Sequence, residues 1–386
     1  HNLALALVSK GYTVTGSDDE IYEPSRSRLK KAGILPAEIG WFPEKINPKL
    51  DAIVLGMHAR ADNPELLRAQ ELGLKIYSYP EFLYEQTKNK KRIVIGGSHG
   101  KTTVTSMIMH VLKTQEIGFD YLVGSQLKGF ERMAHLDNKN KIAVFEGDEY
   151  LASPIDRRPK FHLYKAGIGL ITGISWDHIN VFPTYENYVE QFRIFAHDIP
   201  ETGHLIYCAH DAELMKMVQT TRIGAYLVSY GIPENYVNNT MQTVVKAGEK
   251  EYTLNVFGNH NLMNLEGARH VCQLLGMDSH DFYKAIQSFE GAARRLELVH
   301  RAPNFIAYRD FAHSPSKLRA TTNAIKNQYK NYRMVACMEL HTFSSLNENF
   351  LGEYRNSFDE ADVPVVYFNP QTIAHKKLKP ISEQQV

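Results

Sequence analysis

The 386-residue chain has few cysteines. Cys208, Cys272 and Cys337 are isolated and odd in number, so they form neither metal-ligand pairs nor a disulfide framework, and they fit a reducing compartment. It has no apolar run of the ~18 residues needed to cross a bilayer, no low-complexity tract and no internal repeat. Its net charge of only +1 gives no support to a nucleic-acid partner or an anionic membrane. No secretory leader is visible either. The expectation is a cytoplasmic protein with no nucleic-acid partner and no membrane insertion. The 43% apolar and 23% charged residues are ordinary for a globular protein, and the length suggests two to three domains. The chain starts at His1 inside an apparent helix, so residues are expected in front of it, and its last sheet reads as cut short.

The most telling stretch is Gly96-Gly97-Ser98-His99-Gly100-Lys101-Thr102-Thr103. Arg92-Ile93-Val94-Ile95 before it reads as a buried parallel strand. After it, apolar residues at 104, 107, 108, 111 and 112 have helical spacing. Strand, glycine-rich turn, Lys-Thr and helix form the layout of a phosphate-binding loop. Backbone N–H groups at the helix N-terminus attract an anion. Lys101 can neutralise β/γ-phosphate oxygens, and Thr102 can place a hydroxyl on Mg²⁺. The chain is therefore expected to bind a nucleoside triphosphate. The general motif has four residues between its first glycine and the Gly-Lys pair; that glycine would fall at residue 95, where Ile95 stands, so this loop is a shorter variant.

Three segments follow from the pattern. Residues 1–90 read as a small α/β unit, with helix at Leu3–Val8, strand at Tyr12–Thr15, helix at 27–32 and strand at 52–55. Ser17 and Asp18 follow its strand, where an acidic residue often meets a ribose; a turn or cap role is the other reading of Asp18. Residues 91–300 hold the loop, a strand 142–145 ending in Glu146, and a strand 170–174 leading to Asp177-His178. Ligands sit outside the carboxyl ends of strands in open parallel sheets, so Lys101, Glu146 and His178 are expected at one crevice. The Val-, Thr- and Tyr-rich segment 222–254 reads as antiparallel strands. Residues 301–386 begin a third α/β unit, with strands at 305–308, 334–337 and 365–368 and a helix near Ser316.

Other constellations carry chemistry. Glu146 beside a bound triphosphate is a natural Mg²⁺ ligand. Gly258-Asn259-His260-Asn261-Leu262-Met263-Asn264 sets amides and an imidazole before a helix, able to bond adenine edges or to cap the helix. Arg294-Arg295 can clamp a phosphoryl group. Asp310, after a strand, can reach a ribose.

Taken in order, these pieces resemble the Mur ligases, ATP-dependent amide-bond-forming enzymes of bacterial cell-wall synthesis. The resemblance spans nearly the whole chain. It implies an α/β, three-domain architecture: a parallel-sheet N-terminal domain, a central phosphate-loop domain and a Rossmann-like C-terminal domain. It places Gly97, Ser98, His99, Gly100, Lys101, Thr102 and Thr103 in the ATP loop. His260, Asn261 and Asn264 fall on the adenine side, Arg295 on the γ-phosphate and Asp310 on the ribose. Thr102, Glu146 and His178 would hold two Mg²⁺ ions, and Ser17 and Asp18 the UDP-sugar. Lys101, His178 and Arg295 would carry the catalysis.

The implied reaction has two steps. The lactyl carboxylate of UDP-N-acetylmuramate attacks the γ-phosphate of ATP, and an amine then displaces phosphate from the acyl phosphate. Two branches of the family use that sugar nucleotide. One adds L-alanine. The other adds the murein tripeptide L-Ala-γ-D-Glu-meso-diaminopimelate in wall recycling. Asp148-Glu149-Tyr150 and Ile155-Asp156-Arg157-Arg158-Pro159-Lys160-Phe161 look like the tripeptide branch, which is the expectation here, with L-alanine the alternative. A nucleotide-binding regulator that ligates nothing is the competing class. Glu190-Gln191-Phe192-Arg193 lacks the lysine that several family members carry carbamylated. Ser314 replaces a second histidine common in the family, and His313 is given no role.

Overall fold

The structure, a computed structural model, describes residues 1–57, 59–176, 181–292 and 295–386. The chain forms two compact units: His1–Tyr230 with His270–Leu275, and Gly231–Arg269 with Gly276–Val386.

The first unit opens with helices α1 (Asn2–Ser9) and α2 (Ser25–Lys31). Strand β1 (Ile53–Leu55) pairs in parallel with β2 (Ile76–Ser78), with helix α3 (Pro64–Glu71) between them. Helix α4 (Tyr79–Thr87) begins with a capping box in which Ser78 and Glu81 satisfy each other's backbone N–H groups. Tyr12–Thr15 is not a strand. Among the described residues its neighbourhood makes only the bridge Asp18–Gly40, and a strand exists only where a ladder partner lies beside it.

The main sheet has seven strands: β3 (Lys91–Gly96), β4 (Phe119–Leu122), β5 (Ala134–His135), β6 (Ile142–Glu146), β7 (Ile168–Ile171), β8 (His204–Cys208) and β9 (Tyr226–Tyr230). Their order is β5-β4-β6-β3-β7-β8-β9, parallel except for β5. Ile93, Val94, Ile95, Ala143, Val144 and Phe145 are fully buried, as expected for strands covered on both faces. Helix α5 (Lys101–Thr114) buries Val104, Met107, Ile108, Val111 and Leu112 completely, the residues whose spacing predicted it. Helices α6 (Lys160–Leu163), α7 (Tyr185–His197) and α8 (Ala212–Thr220) complete the cover.

The register positions the site. Ile95 pairs with Glu146 and Gly96 with Ile171, so β3, β6 and β7 end at one level. Strand order reverses around β3, since β4 lies beyond β6 on one side and β7 on the other. That is the switch point where open α/β sheets bind ligands.

In the second unit, β10 (Asn235–Val237), β11 (Thr243–Ala247) and β12 (Lys250–Leu254) form an antiparallel meander. The expectation for 222–254 therefore holds for these strands but not for Tyr226–Tyr230, which joins the parallel sheet. Alternation shows one half-buried face and says nothing about the direction of the partner. Helices α9 (Asn259–Leu274) and α10 (Ser279–Ile286) follow. A hairpin of β13 (Glu297–Ala302) and β14 (Phe305–Arg309) comes next, then helix α11 (Pro315–Gln328), and β15 (Val335–Leu340) parallel to β16 (Val363–Phe368). Leu318, Met338, Leu340, Leu346 and Ile373 form the core around the last pair.

One buried histidine sets a pH dependence. His162 in α6 donates its Nε2–H to the Gln191 carbonyl at 2.7 Å. Burial pushes its pKa below the ordinary value, with the carbonyl and Asp198 opposing and Lys165 and Arg158 assisting. The unfolded chain therefore takes up this proton near pH 6.5, while the folded chain resists it. The stability is fully present above that pH and falls as pH drops below it, by up to about 1.4 kcal/mol per pH unit. Urea unfolding at pH 7.5 and 5.5 should show the loss, and His162→Gln should reduce it. A His162→Gln protein as pH-sensitive as the parent would refute the assignment.

Candidate active site

In the first unit the loop between β3 and α5 carries its glycines for steric reasons. Gly97 has φ +122°, and a Cβ there would lie 2.1 Å from Thr172 Oγ1 and 2.8 Å from Thr172 N. Gly100, with φ +82°, is the left-handed residue that starts α5. The Thr172 hydroxyl donates to the His99 carbonyl, and the Ser98 N–H to the Gly173 carbonyl at 3.0 Å. The end of β7 therefore braces the loop.

Two carboxylates face the loop's functional side chains. Lys101 Nζ donates to Glu149 Oε2 at 2.7 Å, to Glu149 Oε1 at 2.9 Å and to the Gly97 carbonyl at 2.6 Å. The Glu149 side chain is fully buried and that of Lys101 nearly so. Burial alone would lower the Lys101 pKa. The charges of Glu149, Asp148 and Glu146 outweigh it and hold the ammonium above its ordinary value. Thr102 Oγ1 donates to Glu146 Oε1 at 2.7 Å, and the Gly124 N–H to Glu146 Oε2 at 2.8 Å. Lys160 pairs with Asp148 at 2.7 Å. Burial would raise the Asp148 pKa, but Lys160, the Tyr150 N–H and Lys101 together outweigh it and hold it below the usual value.

These donors fit a Mg²⁺–triphosphate group. Thr102 and Glu146 offer adjacent hard oxygens, and a nucleotide-bound Mg²⁺ takes its other ligands from phosphates and water. Among the described residues no three His, Cys, Asp or Glu side chains gather as a metal cage, and such a site needs none. Lys101 and the amino end of α5 would supply positive potential to such phosphates.

In the second unit, Gly258 (φ +86°) precedes α9. Asn261 Nδ2 donates to the Phe257 carbonyl at 2.9 Å, so this amide secures the start of the helix. Asn261 and Asn264 are both buried. Burial lowers the His260 pKa and the charge of Asp310 opposes it. Asp310 Oδ2 accepts the Leu296 N–H at 2.6 Å, and the Arg295 guanidinium lies 5.2 Å from the Phe311 ring centre. Arg295 and Asp310 thus lie together at the open end of the β13–β14 hairpin, and the charge of Asp310 reaches His260 at the start of α9. Asp18 is exposed, and its carbonyl accepts the Gly40 N–H at 2.8 Å; Ser17 is beside it and half-buried. Asp177 and His178, and Arg294, lie outside the described residues.

The structure also brings in residues that the motifs did not single out. Glu149 stood in Asp148-Glu149-Tyr150, a branch marker that gave it no chemical role. Thr172 and Gly124 carry no motif. Tyr188 contacts both Ser98 Oγ (2.9 Å) and Glu149 Oε1 (3.0 Å), and in sequence it is one apolar-face residue of an amphipathic helix.

A glycine-rich loop at a sheet switch point, with a hydroxyl and a carboxylate side by side, is the arrangement a nucleotide-dependent protein needs for a triphosphate and Mg²⁺. The sequence pattern of the Mur ligase middle domain matches residues 95–272, and that of the Mur ligase family catalytic domain matches residues 1–91. The chain is 30% identical over 374 residues to the UDP-N-acetylmuramate–L-alanine ligase of Clostridium kluyveri, covering 93% of this chain and 79% of that one. In fold it is similar to UDP-N-acetylmuramate–alanine ligase from Thermotoga maritima (TM-score 0.69, 20% identity, 99% of this chain and 90% of that one). It is similar also to the UDP-N-acetylmuramate:L-alanyl-γ-D-glutamyl-meso-diaminopimelate ligase of Neisseria (TM-score 0.67, 23% identity, 75% and 95%). The chain belongs to the Mur ligase family, with its α/β three-domain architecture. It is an ATP-dependent, ADP-forming ligase of peptidoglycan synthesis that makes an amide bond with the help of Mg²⁺. Among the described residues no helix is long and apolar enough to cross a membrane.

Proposed function

We propose that this ligase works in the cytoplasm, joining the lactyl carboxylate of UDP-N-acetylmuramate to the amine of L-alanine. The observation that carries the substrate reading is the 30% identity to an L-alanine ligase over 93% of the chain. ATP supplies the phosphoryl group that activates the carboxylate, and Mg²⁺ neutralises its charge. The chain's residues then do the positioning that phosphoryl transfer requires. Lys101, in the loop Gly97–Thr103, binds the β/γ-phosphates, and Thr102 and Glu146 hold one Mg²⁺. His178 is assigned to a second ion and Arg295 to the γ-phosphate. His260, Asn261 and Asn264 take the adenine, Asp310 the ribose, and Ser17 and Asp18 the UDP end.

The tripeptide remains the second reading because of Tyr150 and the basic stretch at 157–160. Yet two of those three cations are committed within the protein. Arg158 binds Asp156 at 2.7 Å and Glu81 at 3.1 Å, and Lys160 binds Asp148. That leaves less charge to recognise a peptide's carboxylates and supports the smaller amine.

Phosphate release is the test, with UDP-N-acetylmuramate and either amine. L-Alanine should stimulate release at least about tenfold over the tripeptide, a discrimination of about 1.4 kcal/mol. Stimulation by the tripeptide alone reverses the choice of amine. Release indifferent to the sugar nucleotide would instead mark a regulator.

A further inference from the structure

The phosphate-loop lysine is not held by the loop alone. Its carboxylate partner, Glu149, is fully buried, and Tyr188 beside it is fully buried too. The Tyr188 ring is fixed by aromatic neighbours, Phe182 at 5.3 Å and Phe192 at 5.2 Å between ring centres. Its hydroxyl meets Glu149 Oε1 at 3.0 Å and Ser98 Oγ at 2.9 Å. Ser98 Oγ in turn accepts the Ser175 N–H at 2.8 Å.

Proton inventory fixes the direction of this chain. A carboxylate only accepts, so the single Tyr188 proton goes to Glu149. The contact with Ser98 then needs the serine proton, and Ser98 receives its own bond from the Ser175 N–H. The order is Ser175 N–H to Ser98, Ser98 O–H to Tyr188, Tyr188 O–H to Glu149, with Lys101 donating to Glu149 from the other side. One chain of bonds ties the segment after β7, the loop, α7 and the Glu149 segment to the lysine. Each bond polarises the next, and burial strengthens them all.

We infer that Tyr188 is a positioning residue for nucleotide binding, setting Lys101 through Glu149 and the loop through Ser98. This rests on the proposed ATP role of Lys101. A lysine free to roam its rotamers must be ordered when the triphosphate arrives, and that ordering weakens binding. With Glu149 locked by Tyr188, the ammonium is already at the loop.

The test uses the full chain and measures KM for ATP, KM for UDP-N-acetylmuramate, kcat, the unfolding midpoint and, separately, ATP binding by calorimetry. Tyr188→Phe keeps the ring in its aromatic pocket and removes only the hydroxyl. The expected result is a rise of about tenfold in KM and Kd for ATP, the size of one lost hydrogen bond to a charged group. KM for the sugar nucleotide should stay within about twofold, because nothing in this chain of bonds runs toward the sugar. A purely structural role would instead lower the active fraction and leave both KM values unchanged. Glu149→Gln keeps the shape and an acceptor for Tyr188 but removes the charge that pins Lys101, and it should also weaken ATP binding; it decides the matter if Tyr188→Phe does not fold. Tighter ATP binding by Glu149→Gln would show that Glu149 competes with the triphosphate and would overturn the inference. A wild-type protein that binds ATP while Tyr188→Phe binds it equally well overturns this inference alone. A wild-type protein that binds no ATP overturns the nucleotide reading and this one with it.

Discussion

Lys101→Ala is expected to lower ATP-dependent ligation by at least about a thousandfold, since one preorganised donor on a transferring phosphoryl group is worth that much in a dry site. The sequence alone predicts this loss with an intact fold. The structure changes the second half of that expectation. Lys101 is the cation against Glu149, whose side chain is fully buried. Alanine removes the ammonium and leaves a buried carboxylate held by the Tyr188 hydroxyl. An uncompensated buried charge of this kind costs about 3–5 kcal/mol. Lys101→Ala should therefore lose both activity and stability, and the two losses can be separated. The double variant Lys101→Ala/Glu149→Gln removes the stranded charge, so it should recover most of the stability and none of the activity. Urea unfolding and phosphate-release assays on both proteins read the two effects. Activity in Lys101→Ala above about a tenth of wild type, far short of the loss a phosphoryl donor implies, sinks the phosphate-loop assignment. A double variant no more stable than the single one shows that the ion pair is not the source of the destabilisation.

Gly97→Ala is expected to damage the fold more than a glycine substitution ordinarily does. The residue sits at φ +122°, and its Cβ would lie 2.1 Å from Thr172 Oγ1, 2.8 Å from Thr172 N and 3.2 Å from Gly173 N. A side chain's end can swing away, but the two nitrogens are backbone and belong to the segment that braces the loop. Strain at positive φ and overpacking against the main chain together should cost about 3–5 kcal/mol. Gly11 provides the control. Its φ is +93°, and a Cβ there meets nothing within 4 Å, so Gly11→Ala reports the conformational strain alone, about 1 kcal/mol. The difference between the two unfolding free energies measures the collision at the loop. Equal losses would mean that the β7 end gives way freely and does not hold the loop in shape. ATP binding should vanish in Gly97→Ala while surviving in Gly11→Ala.

Much of the first unit was legible because its signals are local. The apolar run 93–95 and the helical spacing 104–112 are periodicities of single elements, and each element formed where its pattern lay. Glu146 was readable as a residue beside the loop because it ends a buried strand. The misreadings share a cause. Tyr12–Thr15 had strand composition but no partner, and Tyr226–Tyr230 alternated like its antiparallel neighbours yet joined a parallel sheet. Pairing is a relation between segments, and a window along one segment carries no information about it.

The sequence by itself determined the chemistry available: a shortened glycine loop with Lys101 and Thr102, an acidic block 45–48 positions beyond the lysine, and the order of motifs that marks the family. Glycine spacing and strand–loop–helix patterning are properties of the chain near a single point, so they survive without coordinates. Only the tertiary structure decided who holds whom. Register put Glu146 level with the end of β3, burial turned Glu149 from one acid among several into the counterion of Lys101, and packing brought Tyr188, from a helix 87 positions beyond the lysine, against Ser98 and Glu149. Those pairings depend on distances across the sheet, which sequence separation does not encode.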